Sequence, residues 1–172
     1  MLALIKLIQS IIKTLHSEGT PGQVAAGIAV GSALGLTPLF NIHNLVIFAL
    51  IVLLNVSFAG GMLGWALFIP IGFLLDPLFH AIGLELLHAP PLRPMWTSWA
   101  NTPIVPYTNF NNTVVLGSVV GWGVLAVPIF FGARLGVARY RATVGERVRQ
   151  SRLYKAVTAS KAFNVYRLFR PE

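Results

Sequence analysis

Six side chains able to bind or ionise stand in stretches otherwise almost bare of such groups: Thr37, Asn41, His43 and Asn44, then Asp76 and His80. The first four fall within Thr37-Pro38-Leu39-Phe40-Asn41-Ile42-His43-Asn44, which interrupts an apolar run. Where two helix ends meet at such a break, their free backbone groups and dipoles can hold an anionic headgroup or coordinate an ion. The same side chains would equally serve a plain turn, by satisfying the backbone groups that a proline frees. Both readings stand on the sequence.

Asp76 and His80 lie one helical turn apart, a spacing that suits a metal or a proton relay. Glu85 and His88 follow, but Glu85 falls well round the helix from His80 and no spacing fixes a third ligand. Asp76 also fits the N-cap of a helix starting at Pro77. No metal site and no cofactor are expected. Signatures of catalysis are absent: there is no glycine-rich phosphate loop, no nucleophile elbow and no zincin motif. The chain has no cysteine, which removes thiolate ligands and nucleophiles and any disulfide framework. A non-enzymatic role is the expectation.

The elements that must position these residues follow from the charge pattern. From Gly19 to Leu75 there is no Asp, Glu, Lys or Arg, and a second charge-free run extends from Pro94 to Ala133. With 10% charged and 55% hydrophobic residues, against roughly a quarter charged in a soluble domain, the chain belongs to the membrane class. Ten of the thirteen basic residues lie between Arg134 and Arg170, so the net charge of +8 belongs to the C-terminal tail. By the positive-inside rule both termini are expected in the cytoplasm, with an even number of crossings of the inner membrane. Lys6 and Lys13 interrupt the first apolar residues, so no cleaved signal peptide is expected.

Along the chain, residues 1–18 predict an amphipathic helix lying on the inner leaflet, with Ile5, Ile8, Ile12 and Leu15 on one face. Residues 19–135 form the membrane domain. Thr20-Pro21 marks a helix start, and Gln23 to Leu36 carries Gly27, Gly31 and Gly35 at the spacing that lets another helix backbone approach. With Leu45 to Leu54 it makes a broken hairpin over 20–54, re-entrant or deeply tilted because each arm is short for a hydrocarbon core of about 30 Å. Val56 to Leu75 has spanning length, packs through Gly60 and Gly64, and is expected to stop at Asp76-Pro77. A short interfacial helix, Leu78 to His88, and a proline-rich periplasmic loop fill 76–112. Asn111-Asn112-Thr113 opens the last span, 113–133, with Gly117 and Gly121 as its packing pair. The stretch 136–172 is a basic tail, predicted to contain an amphipathic helix. Its expected partner is anionic lipid or a protein, not nucleic acid, at about 1 kcal/mol per basic residue near the surface.

Three segments carry a resemblance: Thr20-Pro21-Gly22-Gln23-Val24-Ala25, Gly31-Ser32-Ala33-Leu34-Gly35-Leu36-Thr37-Pro38, and His43-Asn44. Together they resemble a bacterial membrane-domain family known in words as domain of unknown function two thousand sixty-two. A subgroup of small proteins within it is more similar still, through Leu63-Gly64-Trp65-Ala66, Leu75-Asp76-Pro77-Leu78-Phe79-His80 and Phe110-Asn111-Asn112-Thr113. The resemblance spans about residues 18–120 and implies a bacterial inner-membrane location in an envelope context. It supplies no catalytic residues.

The fold class expected is thus an all-α membrane protein. The functional expectation is a subunit assisting the transport or presentation of lipids or lipid-linked envelope components, working with another membrane or envelope protein or as a homo-oligomer. Two other classes compete with it. A small-solute or ion transporter would line its path with Asn41, His43, Asn44 and Asp76. A structural scaffold would use the polar break only as a turn.

Overall fold

The computed structural model describes residues 19–143, so the expected N-terminal helix and the tail from 144 onward lie outside the described residues. Within them are five α-helices and no strand: α1 (Pro21–Leu36), α2 (Ile42–Leu53), α3 (Phe58–His88), α4 (Arg93–Ala100) and α5 (Thr113–Thr143). Short 3-10 turns occur at Pro90–Leu92 and Val105–Thr108. The all-α class stands. Two helices, α3 and α5, are long and apolar enough to cross a membrane.

The start of α1 is fixed by local chemistry. The Thr20 hydroxyl accepts from the Gln23 amide N–H at 3.2 Å, and the Gln23 side chain accepts from the Thr20 N–H at 2.8 Å. This reciprocal pair satisfies two of the donors a helix N-terminus leaves unpaired. Gln23 has a further task. Its side-chain amide donates to Asn55 Oδ1 at 2.9 Å, and its carbonyl accepts from the Ser57 N–H at 3.0 Å. The two feet of the α1–α2 hairpin are therefore tied together at the point where α3 begins. Ser57 caps α3 by accepting from the Gly60 N–H at 3.0 Å.

Because α1 and α3 leave the same edge, they run parallel. Gly64 meets Ile28 and Gly72 meets Gly35, each contact further along both helices. α5 runs antiparallel to α3, with Gly83 against Thr113 and Gly117 against Phe79. It ends back beside the hairpin feet, where Val137 joins Val24, Ile28 and Leu63 in one cluster and an Arg141 guanidinium nitrogen donates to the Gly19 carbonyl at 2.8 Å. Trp122 of α5 ties the bundle midway by donating its indole N–H to the Ala29 carbonyl at 3.0 Å.

The contact between α1 and α3 is made largely of small residues, and many large apolar ones lie on the exterior. Val24, Ala25 and Ala33 are fully buried, whereas Phe40 is 95% and Leu53 80% exposed. Lipid gives apolar side chains no reason to hide, so helices associate through close backbone approach. Gly27, Gly31 and Gly35 face α3, Gly60 and Gly64 face α1, and Gly117 and Gly121 face Phe79 of α3. All seven expected packing glycines are thus used within the chain, which leaves those faces filled before any partner arrives.

One expectation fails. α3 does not stop at Asp76-Pro77 but continues unbroken to His88, through both Pro70 and Pro77. Asp76 therefore sits inside a helix and caps nothing, and Leu78 to His88 is not a separate element. Each proline removes one hydrogen bond from the helical ladder. Contacts on both sides hold the axis: Gly72 lies on Gly35, while Phe79, 1% exposed, and Gly83 lie on α5. Tertiary packing outweighs the local breaker. The loop from 89 to 112 also holds more order than its prolines suggest. Pro94 occupies the first turn of α4, and Trp96, Trp99 and Phe110 form one aromatic cluster with ring centroids 5.3–5.9 Å apart.

Candidate functional site

The break between α1 and α2 closes on itself. Asn44, buried in the first turn of α2, donates to the carbonyls of Pro38 at 2.6 Å and Leu39 at 3.1 Å. Its Oδ1 lies 2.7 Å from the Thr37 hydroxyl, which also stands 2.8 Å from the Ala33 carbonyl, so one hydroxyl proton serves two acceptors in turn. Asn41 donates to the Pro38 carbonyl at 2.8 Å and accepts from the Asn109 side chain at 2.6 Å. Asn109 reaches it from a left-handed backbone conformation, φ 56°, which asparagine tolerates better than most residues. Thr37, Asn41 and Asn44 are therefore occupied in forming the turn and pinning it to the 101–112 loop. That is the turn reading of the sequence.

His43 differs. Its Nε2 is buried without a hydrogen-bond partner. His80 lies one turn beyond Asp76 but is engaged elsewhere, its Nδ1 2.7 Å from the Thr113 hydroxyl at the start of α5. Among the described residues no three His, Asp or Glu side chains come together in a way that could hold a metal ion.

Asp76 opens into different surroundings. It lines a cleft of about 290 Å³ between the end of α1 and the middle of α3. Leu34, Ile69 and Phe73 form apolar walls, Gly35 and Gly72 the floor where the two backbones touch, and residues 37–40 the rim. Among the described residues the Asp76 carboxylate has no hydrogen bond and no ion pair. Pro38 has no N–H to give the Leu34 carbonyl, and the carbonyls of Gly35 and Leu36 receive no backbone donor either. The cleft is thus apolar at one end and electronegative at the other.

The six sequence candidates do not form one site. Structure distinguishes a self-satisfied turn (Thr37, Asn41, Asn44), a partnerless imidazole nitrogen (His43), an interhelical hydrogen bond (His80) and a cleft carboxylate (Asp76), and of these it brings Thr37 and Asp76 to the same cleft. The sequence reading missed Gly72, which lies eight residues beyond Gly64, with Phe68 at the four-residue position between them. It also missed Gly83, Phe73 and Asn109, which carry no local signal because each acquires its role only when distant helices meet.

The class these observations define is an all-helical protein with two helices of membrane-spanning length and a half-length hairpin packed against them. The model of a family described as "Uncharacterized protein conserved in bacteria (DUF2062)" matches residues 6–144, and the chain belongs to that family. It is similar to an uncharacterized protein of Treponema pallidum (strain Nichols), 25% identical over 154 residues that make up 88% of this chain and 93% of the relative. No solved structure matches the chain.

Proposed function

We propose that this protein is a non-enzymatic subunit of the bacterial inner membrane that assists the transport or presentation of lipids or lipid-linked envelope components, together with a partner protein. The observation that carries the reading is the cleft beside Asp76. It offers apolar walls with a polar end, a form that suits an amphipathic molecule. The exposed Leu39, Phe40 and Phe73 around its rim suit contact with acyl chains.

In the arrangement we propose, the edge bearing Gly19, the Gln23–Asn55 pair and Arg141 faces the cytoplasm. The concentration of basic residues from Arg134 onward supports that orientation. Asp76 then lies about 28 Å along α3 from Ser57, near the far boundary of a hydrocarbon core about 30 Å thick. A carboxylate at that depth escapes most of the cost of about 2.5–3.5 kcal/mol that it would carry at the bilayer centre. The partner must use surfaces other than the seven expected packing glycines, since the chain fills those itself.

Purification from native membranes in mild detergent, with bound proteins and lipids identified by mass spectrometry, tests the reading. Retained lipid and a stoichiometric partner are expected. A lone monomer free of lipid, together with a deletion strain of unchanged envelope lipid composition and permeability, would overturn it.

A further inference from the structure

We infer that the cleft beside Asp76 binds the primary ammonium head of an amphipath whose apolar chain lies between α1 and α3. The inference rests on the lipid-handling reading and names the chemistry of what is handled.

Three features of the site select positive charge. The Asp76 carboxylate lines the cleft without a partner among the described residues. The α1 helix ends beside it, so the negative end of that helix dipole and the donor-free carbonyls of Leu34, Gly35 and Leu36 belong to the same wall. Among the described residues no Lys or Arg lines the cleft to neutralise them. A primary ammonium has three N–H donors and suits one carboxylate together with carbonyl oxygens. A phosphate or carboxylate headgroup would meet the Asp76 charge and these carbonyls, with only the backbone N–H groups of Leu39 and Phe40 at the rim to receive it.

The direction of the chain follows from the helix directions. α1 and α3 are parallel, so Leu34 and Ile69 lie on the side of the hairpin feet, and Thr37 and Asp76 on the side of the tip. The ammonium at Asp76 leaves the chain to run along Leu34, Ile69 and Phe73 toward the middle of the bundle. Gly35 and Gly72 keep this floor shallow, because a β-carbon on Gly72 would strike the Gly35 carbonyl oxygen. The volume of about 290 Å³ accommodates a head and the first part of one chain, not a whole two-chain lipid.

The test uses the full chain in uncharged detergent, with binding of dodecylamine followed by isothermal calorimetry or tryptophan fluorescence. Saturable binding is expected, weakened about tenfold or more by Asp76→Asn, which removes a charge-assisted hydrogen bond, and largely retained by Asp76→Glu. Ile69→Trp, which fills the apolar end and leaves the carboxylate in place, should weaken it as well. Dodecanol should not bind saturably, and sodium or potassium chloride should compete only through general screening. Equal binding by wild type and Asp76→Asn would overturn the assignment. So would displacement by one equivalent of an alkali cation, which would make this an ion site. Should dodecylamine fail to bind while lipids still copurify with both wild type and Asp76→Asn, the lipid-handling reading stands and the amine assignment alone falls.

Discussion

A β-carbon on Gly31 would overlap the carbonyl oxygen of Gly61, so α1 and α3 meet backbone to backbone at that point. Neither helix can withdraw without opening its neighbours, because the Gly27 and Gly35 contacts lie on the same stripe one turn away on either side. Gly31→Ala should cost about 1–3 kcal/mol through forced separation of the helices. Gly31→Leu should prevent accumulation in the membrane. Gly123→Ala is the control, since nothing lies within 4 Å of a β-carbon there. It should be neutral or stabilising by up to about 1 kcal/mol from helix propensity. Denaturation of the purified variants in detergent reads the difference, and equal effects at the two positions would refute the packing argument.

This contrast also shows how far sequence could go. The stripe Gly27, Gly31, Gly35 announces a close-packing face, and the Thr20–Gln23 capping box and the Asn112 start of α5 are legible because every atom involved lies within one turn. What the stripe packs against is not local information. Gly31 meets a residue thirty positions away, and the cleft is assembled from the end of α1 and a turn of α3 that only parallel packing brings side by side. Asp76-Pro77 misleads for the opposite reason. A proline is a strong local breaker, yet the contacts of Gly72, Phe79 and Gly83 carry the helix past it. Among the site candidates, residue type alone could not separate Asn44, consumed by its own turn, from Asp76, left without a partner.

Asn44→Ala should destabilise the protein by about 1–3 kcal/mol, because it removes three hydrogen bonds at one buried side chain: those it donates to the Pro38 and Leu39 carbonyls and the one it accepts from the Thr37 hydroxyl. Thr37→Val should cost less, since the remaining Asn44 bonds still close the turn. Thermal unfolding in detergent measures both. If the tip instead served only to bind a ligand, Asn44→Ala would lower affinity and leave the unfolding midpoint unchanged.

The hydrogen bond of 2.6 Å between the Asn109 and Asn41 side chains pins the loop after α4 onto the hairpin tip. The chain has no native cysteine, so Asn41→Cys with Asn109→Cys gives an unambiguous pair. A short thiol-reactive cross-linker should join them within one chain in native membranes. Leu53→Cys with Asn109→Cys should give no product, because Leu53 lies at the other end of α2. Equal yields from both pairs would mean that the loop does not hold this position.

The hairpin feet, held by Gln23 and Asn55, fix one end of the bundle, and the loop from 89 to 112 fixes the other. At about 1.5 Å per residue the sixteen residues of α1 rise about 24 Å, roughly 6 Å less than a hydrocarbon core. The proposed orientation therefore makes three separate statements about accessibility to a membrane-impermeant maleimide. Asn55→Cys and Ala142→Cys should label only from the cytoplasmic side. Thr102→Cys should label only from the outer side. Phe40→Cys, at the fully exposed tip of the hairpin, should label from neither, because exposure there means exposure to acyl chains. Rapid outer labelling of Phe40→Cys would show instead that both short arms cross the bilayer. Asp76 would then stand in water rather than at the edge of lipid, where a carboxylate binds an ammonium far less strongly because bulk solvent screens the pair.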